Sequence, residues 1–285
     1  MTTKKLDKPK IYILADFDDT LTEPFPEGNN SHLNVWIGRA LPNALNNSKE
    51  LTKYQKVLGK IAYKVLSYKR KRNQNVDPKP KDIRFLGLIA RGLQYDKMEV
   101  SLNEMPQNKR VVDYLKNMHD KGYSIAVTTM SVTPFTQHWI KSAGIDFIDD
   151  CDVKGLELIS DETDGIKKVK GLDRSDTYTK IASSFIRGNA QKAKSYFAAK
   201  LIDSGNEVAY SIGNSYTDLL SYKSVAYALD KYFGWDRNEA IFYLENHPIH
   251  NIHLPVGGTP AFYRNGDLKK PLPAPLHAAS LVAPA

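Results

Sequence analysis

Three short clusters of oxygen-bearing side chains stand out in this 285-residue chain, each directly after an apolar run. Asp16 and Asp18 follow Ile11-Tyr12-Ile13-Leu14-Ala15, inside the string Asp16-Phe17-Asp18-Asp19-Thr20. Thr128 and Thr129 close the run Ile125-Ala126-Val127, and Gly213-Asn214-Ser215-Tyr216-Thr217-Asp218 follows residues 208–212. Carboxylates from separate segments can converge on a hard cation. Mg²⁺ wants about six oxygens, takes only a few from protein and leaves the rest to water and phosphate. A carboxylate is also a nucleophile able to form an aspartyl phosphate. A metal ion and a lysine then offset the charge on the transferring phosphoryl group. A D-x-D pair alone is common in turns and at helix starts, where Asp satisfies free amides. What points to chemistry is the joint order: acid pair, hydroxyl pair, lysine, second acid.

The apolar runs are continuous, as expected of strands buried on both faces of a parallel sheet. Between them lie helical patterns. Val111, Val112, Leu115 and Met118 mark one helix, stopped by Gly122, and residues 134–143 a second, ending at Gly144. Two more cover about 176–187 and 190–203, and another starts near Thr217. Residues 154–171 read as a small hairpin with Asp164-Gly165 at its turn. Residues 225–229 read as a further strand. Strands alternating with helices argue for an α/β fold: a doubly wound, mainly parallel sheet with right-handed crossovers. In such sheets reactive groups gather at the carboxyl ends of the strands. Residues 24–105 differ in character. They open with Pro24, Pro26 and Gly28, and then Leu51, Tyr54, Leu58, Ile61, Val65 and Tyr68 recur at helical spacing. They read as an inserted helical cap. The expected division is an α/β core from 1–23 and 106–270, the cap at 24–105, and a loosely held Pro- and Ala-rich tail at 271–285.

DFDDTLT resembles the D-x-D-x-T signature of the haloacid dehalogenase superfamily. Gly122-Tyr123 through Thr129, continuing to Gly144-Ile145-Asp146, resembles its phosphoserine-phosphatase-like branch, and GNSYTDLLSY is similar to that branch's G-D-x-x-x-D motif. The resemblance covers about residues 10–22 and 105–230. It implies a Rossmann-like hydrolase core with a mobile cap inserted after the first motif. The implied activity is a Mg²⁺-dependent phosphatase acting on a small phosphate monoester. Carried over, Asp16 is the nucleophile. Asp18 is acid to the leaving oxygen and then base for the attacking water, its backbone carbonyl also binding Mg²⁺, and Thr20 shapes the loop. Thr129 hydrogen-bonds a phosphoryl oxygen, with Thr128 as rival. Lys192 is the phosphate-binding lysine, with Lys194 second. Asp16, Asp18, Asn214 and Asp218 are the metal ligands. Asn214 departs from the usual Asp. Asn offers Mg²⁺ a carbonyl oxygen without charge, so weaker metal binding is implied. The departure keeps open a degenerate, non-catalytic member, and the scaffold also permits phosphoryl transfer to another hydroxyl. Asp19 is read as a variable position facing solvent.

Composition sets the remaining limits. The chain is 41% hydrophobic and 25% charged, which places it with globular proteins rather than disordered ones. No apolar run approaches the ~20 residues needed to span a bilayer, and no secretory signal is visible behind MTTKKLDKPK. The single Cys151 permits neither an intramolecular disulfide nor a cysteine zinc cluster. It is read as a buried or inert thiol, and a cytoplasmic location fits. Residues 49–81 hold eleven Lys/Arg against two acids, enough to account for the whole net charge of +8. The run Lys69-Arg70-Lys71-Arg72 suits a solvated helix end. Nucleic acid is disfavoured as a partner because no stacking platform accompanies it. The insert instead suits a substrate with more than one negative group. His247, His250 and His253 share an H-x-x-H-x-x-H spacing, but Pro248 and Pro255 argue against the helix that would gather them around a metal. Gly257-Gly258-Thr259 reads as a turn. No feature indicates an oligomeric state.

Overall fold

The computed structural model describes residues 8–23, 94–103, 105–163, 165–184, 188–254 and 261–264, with Val57 and Arg91 besides. Most of the expected cap at 24–105, its basic run, the 257–259 turn and the tail at 271–285 lie outside the described residues.

Strand β1 (Ile11–Ala15) is the centre of the sheet, and its residues from Ile13 to Ala15 have no exposure at all. Both its neighbours are parallel to it: β2 (Ser124–Val132) on one side and β6 (Glu207–Gly213) on the other. Outside β2 lies β3 (Val153–Leu156), and outside β6 lie β7 (His250–His253) and then β8 (Ala261–Arg264). The order is β3-β2-β1-β6-β7-β8, five parallel strands with an antiparallel edge. Apolar residues with both faces covered explain why the runs are continuous rather than alternating.

Helix α2 (Lys109–Asp120) leads into β2. Asn108 caps it, accepting from the Val111 amide, and Val111, Val112, Leu115 and Met118 are buried, as the spacing predicts. Helix α3 (Thr133–Ser142) joins β2 to β3 and buries Phe135 and Trp139. The antiparallel hairpin β4 (Leu158–Thr163) and β5 (Ile166–Leu172) turns at Gly165, whose φ of +72° suits glycine. Against β5 and α3 packs α1 (Tyr95–Leu102). The return from β3 to β6 runs through α4 (Thr177–Ala182) and α5 (Asn189–Asp203), crossing to the far side of β1. Right-handed crossovers then put α2 and α3 on one face and α4 and α5 on the other. This is the doubly wound α/β class. No described helix is long and apolar enough to cross a membrane.

Residues 225–229 do not form a strand. They lie inside α6 (Tyr222–Phe233), which Ser221 caps and Gly234 ends. A short apolar run bordered by turn residues fits either a buried strand or a buried helix face, and periodicity alone does not separate them. The outer parallel strand is β7, reached through α7 (Arg237–Asn246). Its sequence, His250-Asn251-Ile252-His253, has little strand character. Asn251 is buried there because its side chain accepts from the Leu220 amide and donates to the Leu220 carbonyl, closing the loop before α6.

Candidate active site

The strand order reverses direction between β1 and β6, and the crevice beyond the carboxyl ends of such strands is where α/β sheets bind ligands. Asp16 sits there. Its amide donates to the Ile212 carbonyl at 2.8 Å, continuing the β1–β6 ladder one residue past the strand, so its backbone is held by the sheet. Its carboxylate accepts from Lys194 Nζ at 2.6 Å through Oδ1. Thr20 Oγ1 lies 3.5 Å from the other oxygen. The same lysine ammonium reaches Asp218 Oδ1, so both carboxylates meet on one cation. All three side chains are buried.

The third element is the loop after β6. Asp218 ends a 3₁₀ turn, Tyr216–Asp218, capped by Ser215, whose hydroxyl accepts from the Thr217 amide. The second Asp218 oxygen accepts from the Ser215 amide at 2.8 Å, and the Asp218 carbonyl accepts from Ser211 Oγ at 2.7 Å. Gly213 leaves the space this needs, because a methyl group there would overlap the Asp218 side chain. Asn214 is half-buried, and its carbonyl accepts from His253 Nε2 at 2.9 Å.

Two carboxylates against one ammonium leave a net negative charge in a buried place, costly unless further compensated. The electrostatics show it. Burial first, and then the Asp218 charge, push the Asp16 carboxyl up to about 7, with Lys194 opposing both. The two carboxylates raise the Lys194 ammonium above its ordinary range despite its burial. An all-oxygen donor set with an unbalanced negative charge fits a hard divalent cation. Asp16, Asp218, the Asn214 amide oxygen and the Asp18 carbonyl are the groups able to hold it.

Of the residues named from sequence, Asp16 and Asp218 are in contact with one lysine, and Asp18 follows half-buried in the same turn. The lysine differs from the first expectation: it is Lys194, while Lys192 is only partly buried. The reason is helical geometry. Residues two apart on a helix point about 200° apart, and position 194 belongs to the buried stripe of Ala190, Ala193, Phe197, Ala198 and Leu201. A lysine on an apolar stripe is the signal that identifies it. Asp19 also differs. It is half-buried rather than solvent-facing, and it takes a left-handed backbone with φ 53° that turns the loop after β1. Thr128 and Thr129 are both buried. Thr128 Oγ1 lies 3.1 Å from the Tyr178 hydroxyl, and Thr129 Oγ1 accepts from the Ser131 amide. Tyr178 carries no signal in the sequence, and His253 stood out there only through the histidine spacing, not as a partner of Asn214.

The three histidines make separate contacts. His247 stacks on Tyr243, His250 lies beside Tyr210, and His253 reaches Asn214. Cys151 is exposed rather than buried. With Asp149 and Asp152 it forms a cluster of potential ligand atoms just before β3, at the amino end of the sheet, opposite Asp16. There Asp152 accepts from the Tyr12 hydroxyl at 3.1 Å.

No protein-family model matches the chain, and no curated protein matches it. Among solved structures, it is similar to cytosolic 5'-nucleotidase IIIB bound to cytidine, at 14% identity and TM-score 0.46 over 76% of this chain and 69% of that one. It is also similar to a phosphoserine phosphatase in a phospho-aspartyl intermediate analogue form, at 17% identity and TM-score 0.44 over 76% and 84%. A third likeness is to a phosphoserine phosphohydrolase-like protein from Francisella tularensis, at 18% identity and TM-score 0.45 over 78% and 82%.

Proposed function

We propose that this chain is a haloacid dehalogenase-type phosphatase that hydrolyses a small phosphate monoester through an aspartyl phosphate on Asp16. The observation that carries the reading is the meeting of Asp16 and Asp218 on Lys194, in the crevice where the sheet reverses, with the D-x-D-x-T string at its centre. An Asp16 oxygen attacks phosphorus, and the bond to the ester oxygen breaks. Asp18 gives its proton to the leaving alkoxide. It then takes a proton from the water that attacks the aspartyl phosphate, so inorganic phosphate leaves and Asp16 is regenerated. Lys194 opposes the upward push that burial and Asp218 give the Asp16 carboxyl, and offers a point charge to the phosphoryl oxygens. Thr129 donates to one of those oxygens. Asp16, Asp18, Asn214 and Asp218 would hold Mg²⁺, which would supply charge compensation to the phosphoryl group when bound. With Asn214 uncharged, the hold on that ion would rest more heavily on the Asp16 and Asp218 carboxylates.

The charge of residues 49–81 supports a substrate with a further negative group beyond its phosphate. A cytoplasmic location suits a lone cysteine. The test is release of inorganic phosphate from a panel of phosphorylated metabolites and a generic aryl phosphate, with and without Mg²⁺. Turnover that needs the metal and disappears in Asp16→Asn supports the reading. Ester cleavage without phosphate release points to transfer. Absence of Mg²⁺-dependent cleavage of every ester overturns the reading.

A further inference from the structure

Two adjacent threonines at the end of β2 are candidates for one task, and their hydrogen bonds divide it. Tyr178 on α4 is fully buried, near enough to Lys194, Asp16 and Asp218 for their charges to act on its phenol. Its hydroxyl lies 2.8 Å from the Thr129 carbonyl and 3.1 Å from Thr128 Oγ1. A phenol carries one proton, and a carbonyl only accepts. The Tyr178 proton therefore goes to the Thr129 carbonyl, and Thr128 is the donor to the Tyr178 oxygen. Burial raises the phenol well above its ordinary range, although Lys194 opposes this, so the hydroxyl keeps its proton at neutral pH.

The Thr128 proton is thus committed. Thr129 is in the opposite state. Its Oγ1 accepts from the Ser131 amide at 2.9 Å, which uses a lone pair and leaves the proton available. No acceptor for that proton stands among the described residues. The pairing of β2 with β3 shifts register between Thr128 and Val132, so strict strand alternation no longer dictates which way Thr129 faces. A phosphoryl oxygen is an acceptor, and the hydroxyl able to serve it is the one with an uncommitted proton.

We propose, resting on the phosphatase reading above, that Tyr178 is a positioning residue which none of the three strand-end motifs contains. By taking the Thr128 proton and pinning the Thr129 carbonyl, it reserves the Thr129 hydroxyl for a phosphoryl oxygen of the substrate. Tyr178 itself exchanges no proton with the substrate.

The experiment compares wild type with Tyr178→Phe, Thr128→Val, Thr129→Val and Thr129→Ser in the full chain. It measures kcat/KM on an aryl phosphate with Mg²⁺, affinity for inorganic phosphate by thermal shift, and unfolding without ligand. Tyr178→Phe is expected to lower kcat/KM about tenfold, the scale of one lost hydrogen bond. It should weaken phosphate binding by a similar factor and leave the shape of the pH–rate profile unchanged. Thr129→Val should cost more than Thr128→Val, and Thr129→Ser should recover most of the loss. Equal cost at Thr128 and Thr129 overturns the assignment, and so does a folded Tyr178→Phe with wild-type kcat/KM and phosphate affinity. Should Tyr178→Phe fail to fold, the order of cost at the two threonines still decides. If the wild type turns over no ester but phosphate affinity follows this pattern, the phosphatase reading fails while the role of Tyr178 stands. If it neither turns over esters nor binds phosphate, both fail.

Discussion

Lys194 is held between two carboxylates, and removing it leaves both buried without their shared cation. Breaking a buried pair in this way costs about 3 kcal/mol or more. Lys194→Met should therefore lower the urea-unfolding free energy by that order near pH 8 and by much less near pH 5, where Asp16 takes a proton. Equal losses at both pH values would show that the lysine is not balancing ionised carboxylates. Asp16 has the opposite sign. Its folded-state value is raised to about 7, so the folded protein holds this proton more tightly than the unfolded chain does. Through this group the metal-free protein is most stable in acid and loses stability as pH rises from about 4 towards 7. On the proposed ligand set, Mg²⁺ would need Asp16 ionised and would displace the proton. The gain in melting temperature on adding Mg²⁺ should therefore be larger near pH 8 than near pH 5, and a pH-independent gain would contradict the ligand set. Asp16→Asn should abolish phosphate release while leaving the circular dichroism spectrum unchanged.

At the scale of elements, the site depends on how the loop after β6 packs, and Gly213 is its tightest point. Gly213→Ala would push a methyl into Asp218, and the backbone or the carboxylate must move. A loss of at least about a hundredfold in kcat/KM is expected, since misplacement by an ångström costs on that order. Secondary structure should be retained. Strand β1 provides the matching control at its other end. Tyr12 lies on the strand that presents Asp16, but its hydroxyl serves Asp152 at the amino end of the sheet. Tyr12→Phe should cost about 1–3 kcal/mol of stability, because a buried carboxylate loses its donor, with kcat unchanged. A fall in kcat in a folded Tyr12→Phe would mean that the two ends of the sheet are coupled. His253 shows how β7 reaches the candidate site, since it holds the backbone of Asn214.

For the whole molecule, the uneven charge matters more than the net value. The basic excess sits between the first motif and the rest of the core, in the segment that interrupts the α/β pattern. Replacing Lys69, Arg70, Lys71 and Arg72 with Gln should raise KM for esters bearing an extra carboxylate or phosphate, with kcat on a neutral aryl phosphate within about twofold. KM for the acidic esters should also climb with salt, as exposed charges are screened beyond about 10 Å at 0.1 M. Equal KM changes for acidic and neutral esters would remove the segment from substrate recognition.

Much of this architecture was legible in the residues. Continuous apolar runs predicted β1, β2 and β6, while most of β3 fell inside the residues 154–171 read as a hairpin; helical patterns predicted α2, α3 and α5, and the polar strings after β1 and β6 hold the two carboxylates that meet on Lys194. These signals are local: they record which way a backbone turns and which side is buried. Which lysine meets Asp16 is not local, because the two are 178 residues apart and the choice between positions 192 and 194 depends on the face α5 turns to the sheet. The same holds for β7, too short and polar to declare itself, and for residues 225–229, whose apolar run satisfies either period. The sequence by itself determined the order of the chemical groups along the chain. Tertiary packing decided which of them share one charge balance, since a buried charge is stable only against partners brought to it from other strands and helices.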